Sequence, residues 1–186
     1  MQFREEVLSL PEGEFRTEII AFDQTDIPIL KDVYDYWREL CNKISKIGGR
    51  YVNLPESLSE AAFCQCMNSV KLFKNISGAN SSFDAYDLER KKRIQVKGCS
   101  VVPDLTSFGP RSQWDELYFV DFYRDGKFDG QFDVYLIPNE LIYNFKINAS
   151  QTFLDQQRQG RRPRLSIFRN IIIPNQIKPI KTCSLY

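Results

Sequence analysis

A carboxylate, an amide and a lysine occur within one short stretch of the chain, Ser81 to Ser100. They are Asp84, Gln95 and Lys97. Carboxylate and amide oxygens are ligands that Mg²⁺ prefers, and a lysine ammonium can hold a phosphate or an attacking water. Gathered at one point on a rigid element, these three residue types would form a metal-and-phosphate site.

The pattern around these residues predicts a β-hairpin that would bring them together. Polar and apolar side chains alternate from Ser82 to Leu88 and again from Arg93 to Val101, and a charged run separates the two. Alternation with period two and branched residues is typical of strands. Gln95 and Lys97 are two residues apart and share a face, with Asp84 opposite them at cross-strand distance. Spacing alone leaves open that Asp84 is only a turn or surface acid.

Helical spacing of apolar residues predicts two helices before the hairpin. The first runs from Pro28 to Ile47, is capped by Asp26, and has an apolar stripe that includes Tyr36, Trp37 and Leu40. That stripe could cover the core or form a dimer contact. The second helix would start at the cap Ser57 with Glu60 as its third residue, and capping alone would explain that glutamate.

Other parts of the chain carry simpler signals. The first 24 residues are acidic and predict an irregular arm or a short strand from Phe15 to Phe22. Asp125-Gly126 predicts a hairpin between two aromatic-rich runs. Later predictions are a helix from Pro138, a helix capped by Ser150 and a strand from Leu165 to Ile173. We expect one domain over residues 1–186 with helices on both faces of a central mixed sheet, an α/β fold.

Charge is distributed unevenly although the net charge is only +1. The first 40 residues hold ten acids and four bases, whereas residues 156–186 hold seven bases and no acid. A basic block is the footprint expected of a phosphate-backbone partner, although a solvated surface is the alternative. Within residues 156–173 the side chains suited to base edges or phosphates are Gln157, Arg158, Gln159, Arg161, Arg162 and Arg164.

The chain contains no histidine, and this absence excludes whole classes of site. Ser-His-Asp and Cys-His nucleophiles, histidine general bases and His-ligated zinc are ruled out. The five cysteines have no spacing for zinc, and their odd number without a signal peptide predicts free thiols in the reducing cytoplasm. A hydrolase of phosphate esters built on this chain would depend on carboxylates, lysine and a hard metal ion.

In the stretch from Ser81 to Ser100 the sequence resembles the PD-(D/E)XK nuclease superfamily. Asp84 matches the acid of the motif, and Gln95-Val96-Lys97 matches its tripeptide in a QXK variant that some type II restriction endonucleases carry. Ser82-Phe83 departs from the proline that commonly precedes the acid. Three further segments also resemble parts of small restriction enzymes. They are Pro55–Cys64, which contains Glu60, then Phe108–Phe122 and Gln156–Ile167.

The resemblance implies a restriction-endonuclease-like core and a Mg²⁺-dependent type II restriction endonuclease that cuts double-stranded DNA. By analogy, Asp84, the Gln95 side-chain oxygen and the Val96 carbonyl hold the metal, and Lys97 acts on the water and phosphate. Glu60 or Asp87 would compensate for the missing charge of Gln95. The implied target is a short, GC-containing, palindromic or pseudo-palindromic site. Alternatives are a structure-selective repair or junction nuclease of the same superfamily and a catalytically decayed DNA-binding module.

Cutting both strands requires two copies of a site that this chain carries once. We therefore expect a homodimer on a symmetric DNA site, with the helix from Pro28 to Ile47 as its contact. A cognate DNA methyltransferase would belong to the same system.

Overall fold

Eight strands form one mixed sheet in the computed structural model, which describes residues 1–186. The spatial order is β1-β2-β3-β4-β5-β7-β8-β10, and only β5 and β7 run parallel. The strands of this sheet are β1 (Gln2–Leu10), β2 (Gly13–Ala21), β3 (Val70–Leu72), β4 (Ala85–Asp87), β5 (Lys92–Cys99), β7 (Glu116–Asp121), β8 (Gln131–Ile137) and β10 (Lys181–Ser184). A separate two-stranded sheet pairs β6 (Thr106–Ser107) with β9 (Arg164–Leu165).

Helices cover both faces of the large sheet. On one face α1 (Ile27–Lys46) and α2 (Glu56–Met67) pack on Ile94, Val96 and the apolar residues of β7 and β8. On the other face α3 (Asn139–Tyr143) and α4 (Phe153–Arg158) enclose a second core around Phe119 and Phe153. The expected α/β architecture, a mixed sheet between helices, is therefore confirmed.

The N-terminal segment is more regular than its acidic composition predicted. β1 and β2 pair antiparallel over nine residues each, joined by a tight turn at Pro11-Glu12. This hairpin contributes three buried side chains, Leu8, Leu10 and Ile19, to a third apolar cluster that also contains Phe83 and Tyr86. Of the two expectations for this segment, the irregular arm was wrong, whereas the short strand from Phe15 to Phe22 agrees with β2 and is joined by a second strand, β1. One face of the hairpin is apolar enough to be buried in this cluster.

The segment predicted as a strand from Leu165 to Ile173 is mostly helical. Only Arg164 and Leu165 form a strand, and Phe168–Ile172 forms a short helical turn. The backbone N–H groups of Ile167 and Phe168 donate to the carboxylate of Asp104, at 2.8 and 3.2 Å. A carboxylate that accepts two consecutive N–H groups starts a helical turn. This explains why the β-branched residues that follow do not form the predicted strand.

Two of the three predicted helix caps were also wrong, and the third, Asp26, occupies the N-cap position of α1 without a side-chain capping bond. α2 begins at Glu56 directly after Pro55, and so Ser57 does not cap it. Thr152, not Ser150, caps α4 in a reciprocal pair with Asp155. The carboxylate of Asp26 accepts from the backbone N–H of Asp23 and from the N-terminal ammonium, and it makes no capping bond to α1.

The prediction that all cysteines are free was wrong for one pair. Cys66 at the end of α2 and Cys183 in β10 form a disulfide with Cα atoms 6.4 Å apart, whereas Cys41, Cys64 and Cys99 are free and buried. The two partners are 117 residues apart in sequence, and only the packing of β10 beside α2 reveals them. None of the helices combines the length and apolar character needed to cross a membrane.

Candidate active site

The predicted hairpin exists, and Asp84 lies at the point where its two strands separate. β4 and β5 pair antiparallel with Ala85 opposite Ile94, and the N–H of Asp84 donates to the carbonyl of Ile94 at 2.9 Å. Beyond that bond the Asp84 side chain replaces the backbone of β4: its Oδ2 accepts from the N–H of Val96 at 2.8 Å. The carboxylate is therefore held rigidly against β5 by the strand itself.

Gln95 approaches the same carboxylate oxygen. Its Nε2 donates to Asp84 Oδ2, and the residue is only 2% exposed. No protein donor reaches Asp84 Oδ1 or Gln95 Oε1. One carboxylate oxygen and one amide oxygen are thus left without protein hydrogen bonds at adjacent positions, and both are atoms that can bind a hard cation.

The carbonyl of Val96 faces the same place. N–H and C=O groups alternate between the two neighbours of a strand: Cys99 O accepts from Phe122 N on the β7 side, whereas Ile94 O accepts from Asp84 N on the β4 side. Val96 lies two residues after Ile94, and its carbonyl therefore points toward Asp84. The three atoms assigned to the metal by resemblance are consequently brought to one side of β5.

Lys97 projects from the same face of β5 as Gln95. Its ammonium makes no ion pair with any carboxylate and lies 5.4 Å from the ring centroid of Phe108. An aromatic face attracts a cation without neutralising its charge. Lys97 is thus positioned by packing while its charge remains available for an anionic ligand.

Glu60 reaches the site from α2. The helix packs closely on β5 because residue 98 is glycine: a Cβ there would lie 2.6 Å from the Cβ of Ser59. Since α2 begins at Glu56, Glu60 is not a capping residue, and its carboxylate instead forms an ion pair with Lys71 of β3 at 2.6 Å. Both side chains are largely buried, so this pair is shielded from solvent.

The electrostatic environment favours the protonated form of Asp84. Burial raises its pKa to about 6; Lys97 lowers it, and the nearby carboxylate of Glu60 raises it further. At neutral pH such a carboxylate is ionised, and its ionisation lowers the stability of the fold. Carboxylates of this kind are common in sites that bind a cation.

We predict that Asp84→Asn stabilises the metal-free protein above pH 6. The folded pKa of Asp84 lies above the unfolded value of 3.8, and its ionisation therefore lowers stability as pH rises through the window from 3.8 to about 6. The neutral amide avoids this cost, and the gain should be on the order of 1–2 kcal/mol at pH 8 and shrink toward pH 5. Urea unfolding in EDTA at both pH values measures it.

Asp87→Asn is the matched control for this prediction. Asp87 accepts from the backbone and side chain of Arg90 at 2.8 and 2.6 Å, and losing its charge should reduce stability at pH 8. Equal stability of Asp84→Asn and the parent protein at pH 8 would contradict the prediction.

A cleft of about 470 Å³ opens above these residues. Its wall brings together the predicted site residues Glu60, Asp84, Gln95, Val96, Lys97 and Arg162. The first five come from α2 and the hairpin, whereas Arg162 comes from the distant basic segment. The cleft therefore brings charged side chains from α2, the hairpin and the basic segment to face one space.

The remaining residues of the basic segment lie outside the cleft wall. Arg158, Arg161 and Arg164 are exposed and make no ion pairs. Arg161 donates to the side chain of Gln151 at 3.4 Å, and Gln157 Nε2 donates to the carbonyl of Gly109 at 3.0 Å. Gln157 thus anchors a loop, whereas the three arginines are free to meet phosphates or base edges.

Two residues near the cleft were not predicted from the sequence. Lys71 neutralises Glu60 from the neighbouring strand, and the buried carboxylate of Asp104 binds the β6 loop to the residues after β9. Neither has a local sequence signal for these roles, because Glu60 and the residues after β9 are brought close only by the fold.

The residues present fit a Mg²⁺ site of the open type. There is no cluster of three or more acidic, histidine or cysteine side chains that could enclose a metal ion. Mg²⁺ commonly takes one or two carboxylates and fills its other positions with waters and substrate phosphate. Asp84 Oδ1, with the oxygens of Gln95 and Val96 beside it, provides such a partial set.

Comparisons with known proteins agree on one family. The model of the family described as Bsp6I restriction endonuclease matches residues 22–174, which include every site residue named above. The protein named "Type II restriction enzyme Bsp6I", from Bacillus sp. (strain RFL6), is 31% identical over 171 residues, covering 90% of this chain and 93% of that protein. No solved structure matches.

Proposed function

This chain belongs to the Bsp6I restriction endonuclease family, and we propose from that premise that it is a Mg²⁺-dependent enzyme cutting double-stranded DNA at a specific site. The observation that carries the proposal is the cleft, where Asp84 is held against Gln95-Val96-Lys97 beside cations that have no carboxylate partner. The mixed sheet flanked by helices is the architecture that the restriction-endonuclease-like fold requires.

Within this proposal each residue has a distinct task. Asp84, the Gln95 oxygen and the Val96 carbonyl would hold Mg²⁺, with Glu60 nearby. When bound, the ion supplies acidification of a water and neutralisation of phosphate charge. Lys97 binds the phosphate and orients the water. The water loses a proton to solvent as its oxygen bonds to phosphorus, the bond from phosphorus to one ester oxygen breaks, and the leaving oxygen takes a proton from solvent.

The basic segment supplies the DNA contacts in this proposal. Arg158, Arg161 and Arg164 are exposed and belong to the same chain segment as Arg162, which lines the cleft. Arginine binds phosphates and, with two bonds, the O6 and N7 atoms of guanine. We propose a short GC-containing site on this basis, with Gln157 supporting the segment rather than reading bases.

Two further parts of the proposal concern the enzyme's partners. The protein acts as a homodimer through α1 on a palindromic or pseudo-palindromic site, so that each copy cuts one strand. A DNA methyltransferase of the same system would protect the host's own copies of the site, and both enzymes would work in the cytoplasm, where the DNA lies.

A plasmid digest with and without Mg²⁺ tests the function directly. We expect discrete double-strand fragments with Mg²⁺ and none in EDTA. Cutting of branched substrates alone would favour a structure-selective nuclease. Retention of DNA without cutting in any divalent metal would favour a decayed binding module, with Gln95 in place of an acid as the cause.

A further inference from the structure

Arg162 differs from the other arginines of the basic segment in where it lies. It lines the cleft together with Asp84, Glu60 and Lys97, whereas its neighbour Arg161 contacts Gln151 instead. Two adjacent residues of the same type therefore face different surroundings. Composition alone assigns both to DNA binding in general.

The local backbone explains this difference. Pro163 restricts the residue before it, Arg162, to extended conformations. The carbonyl of Pro163 accepts from the N–H of Phe108 at 3.1 Å, and Arg164 pairs with Ser107 in the small sheet. Pro163 and Leu165 are buried, and so Arg162 and Arg164 project from the opposite, exposed face of this segment.

Asp104 fixes this segment to the strand that carries Lys97. The acid follows β5 by a short loop, and its buried carboxylate accepts from Thr106 Oγ1 at 3.0 Å, Ser166 Oγ at 2.5 Å and Ile167 N at 2.8 Å. These bonds join Thr106 of β6 and the residues directly after β9 to one side chain. The position of the Arg162 backbone relative to the cleft is consequently set by the fold, before any DNA binds.

The cleft is lined by side chains of both charges. Glu60 and Asp84 come from α2 and the hairpin, and Arg162 and Lys97 make no ion pair with either of them. We infer that Arg162 is a catalytic residue that binds the phosphate undergoing hydrolysis, whereas Arg161 serves DNA affinity alone. This inference rests on the proposed function.

The chemistry gives Arg162 a specific contribution to the rate. As the water oxygen attacks phosphorus, the two non-bridging oxygens must be held in place with their charge compensated. A guanidinium offers two parallel N–H donors that match these oxygens, and donors placed in advance act most strongly on the transition state. Lys97 provides a point charge on the same phosphate, and the two residues are complementary rather than redundant.

Single-turnover cleavage of a saturated enzyme–DNA complex in Mg²⁺ tests the inference. Arg162→Ala should lower the rate by about 100-fold or more, with DNA affinity in Ca²⁺ changed only a few-fold. Arg162→Lys should recover part of the rate. Arg161→Ala should weaken binding and reduce the salt slope by about one unit, and its rate at saturation should fall far less.

Three results would overturn the inference. One is an unchanged rate for saturated Arg162→Ala, and another is an equal loss of rate in Arg161→Ala and Arg162→Ala. The third is a loss of thermal stability in Arg162→Ala that accounts for the lost rate, with no recovery in Arg162→Lys. Failure of the parent protein itself to cut any DNA with Mg²⁺ would instead remove the proposed function, and the inference with it.

Discussion

Replacing Lys97 by alanine should reduce DNA cleavage by about a thousandfold while leaving DNA binding largely intact. The ammonium lies at the cleft wall without a carboxylate partner. In the proposed mechanism its loss removes a charge that acts only on the reacting phosphate. Asp84→Ala should have an effect of similar size, because that carboxylate aligns β5 and supplies the free Oδ1. The exposed arginines to which we assign DNA binding are untouched in both variants.

Lys92→Ala is the control for this experiment. Lys92 begins the same strand, is exposed and makes no ion pair, and this variant should cut like the parent protein. Cleavage is followed on a plasmid in Mg²⁺, and binding is followed in Ca²⁺ on a cognate duplex. Normal cutting by Lys97→Ala or Asp84→Ala would show that the site is wrongly assigned.

The central hairpin could be predicted because its signal is local. Alternation along residues 82–101 fixes which side chains share a face, and a one-residue error in that reading would have placed Lys97 in the core. Two contacts could not be predicted in the same way: the close approach of α2 at Gly98 and the hydrogen bond from Val96 to Asp84. Both depend on how α2 and β4 meet β5.

The C-terminal part shows where local signals fail. The run Ile171-Ile172-Ile173 is typical of a strand, yet the helical turn forms because Asp104, more than 60 residues earlier, accepts the N–H groups that start it. The same acid sets the position of Arg162. A sequence can indicate that a basic segment binds DNA, but only the long-range hydrogen bonds separate the arginine in the cleft from those outside it.

The long helix was predicted correctly in extent, but its apolar stripe divides into two. Trp37 is buried in the core and donates to the carbonyl of Val52 at 3.0 Å, so it does not belong to an outer contact. Tyr36 is 71% exposed and Leu40 is 46% exposed. With Ile29 and Val33 they form an outer stripe at spacings of four, three and four residues, the spacing of a helix seam.

We predict that Leu40→Glu abolishes dimerisation through this outer stripe. In a two-fold interface each residue occurs twice, and a buried glutamate pair would add repulsion and desolvation to the lost apolar contact. Losing one interface anchor typically costs about 2 kcal/mol, and two copies together should weaken the dimer by several hundredfold. Sedimentation of the protein alone and bound to its cognate duplex measures the change.

Cleavage products provide an independent test of the same interface. A monomer carries one Asp84–Lys97 site, and so a variant that cannot dimerise should convert supercoiled plasmid to nicked circles before any linear product appears. Val7→Glu is the matched control, because Val7 is a comparably exposed apolar residue on β1, at the edge of the sheet, and the variant should dimerise and linearise plasmid normally. If the parent protein makes double-strand breaks in a strict 1:1 complex with DNA, the stripe on α1 is not a dimer contact, and one chain must cut the two strands in succession.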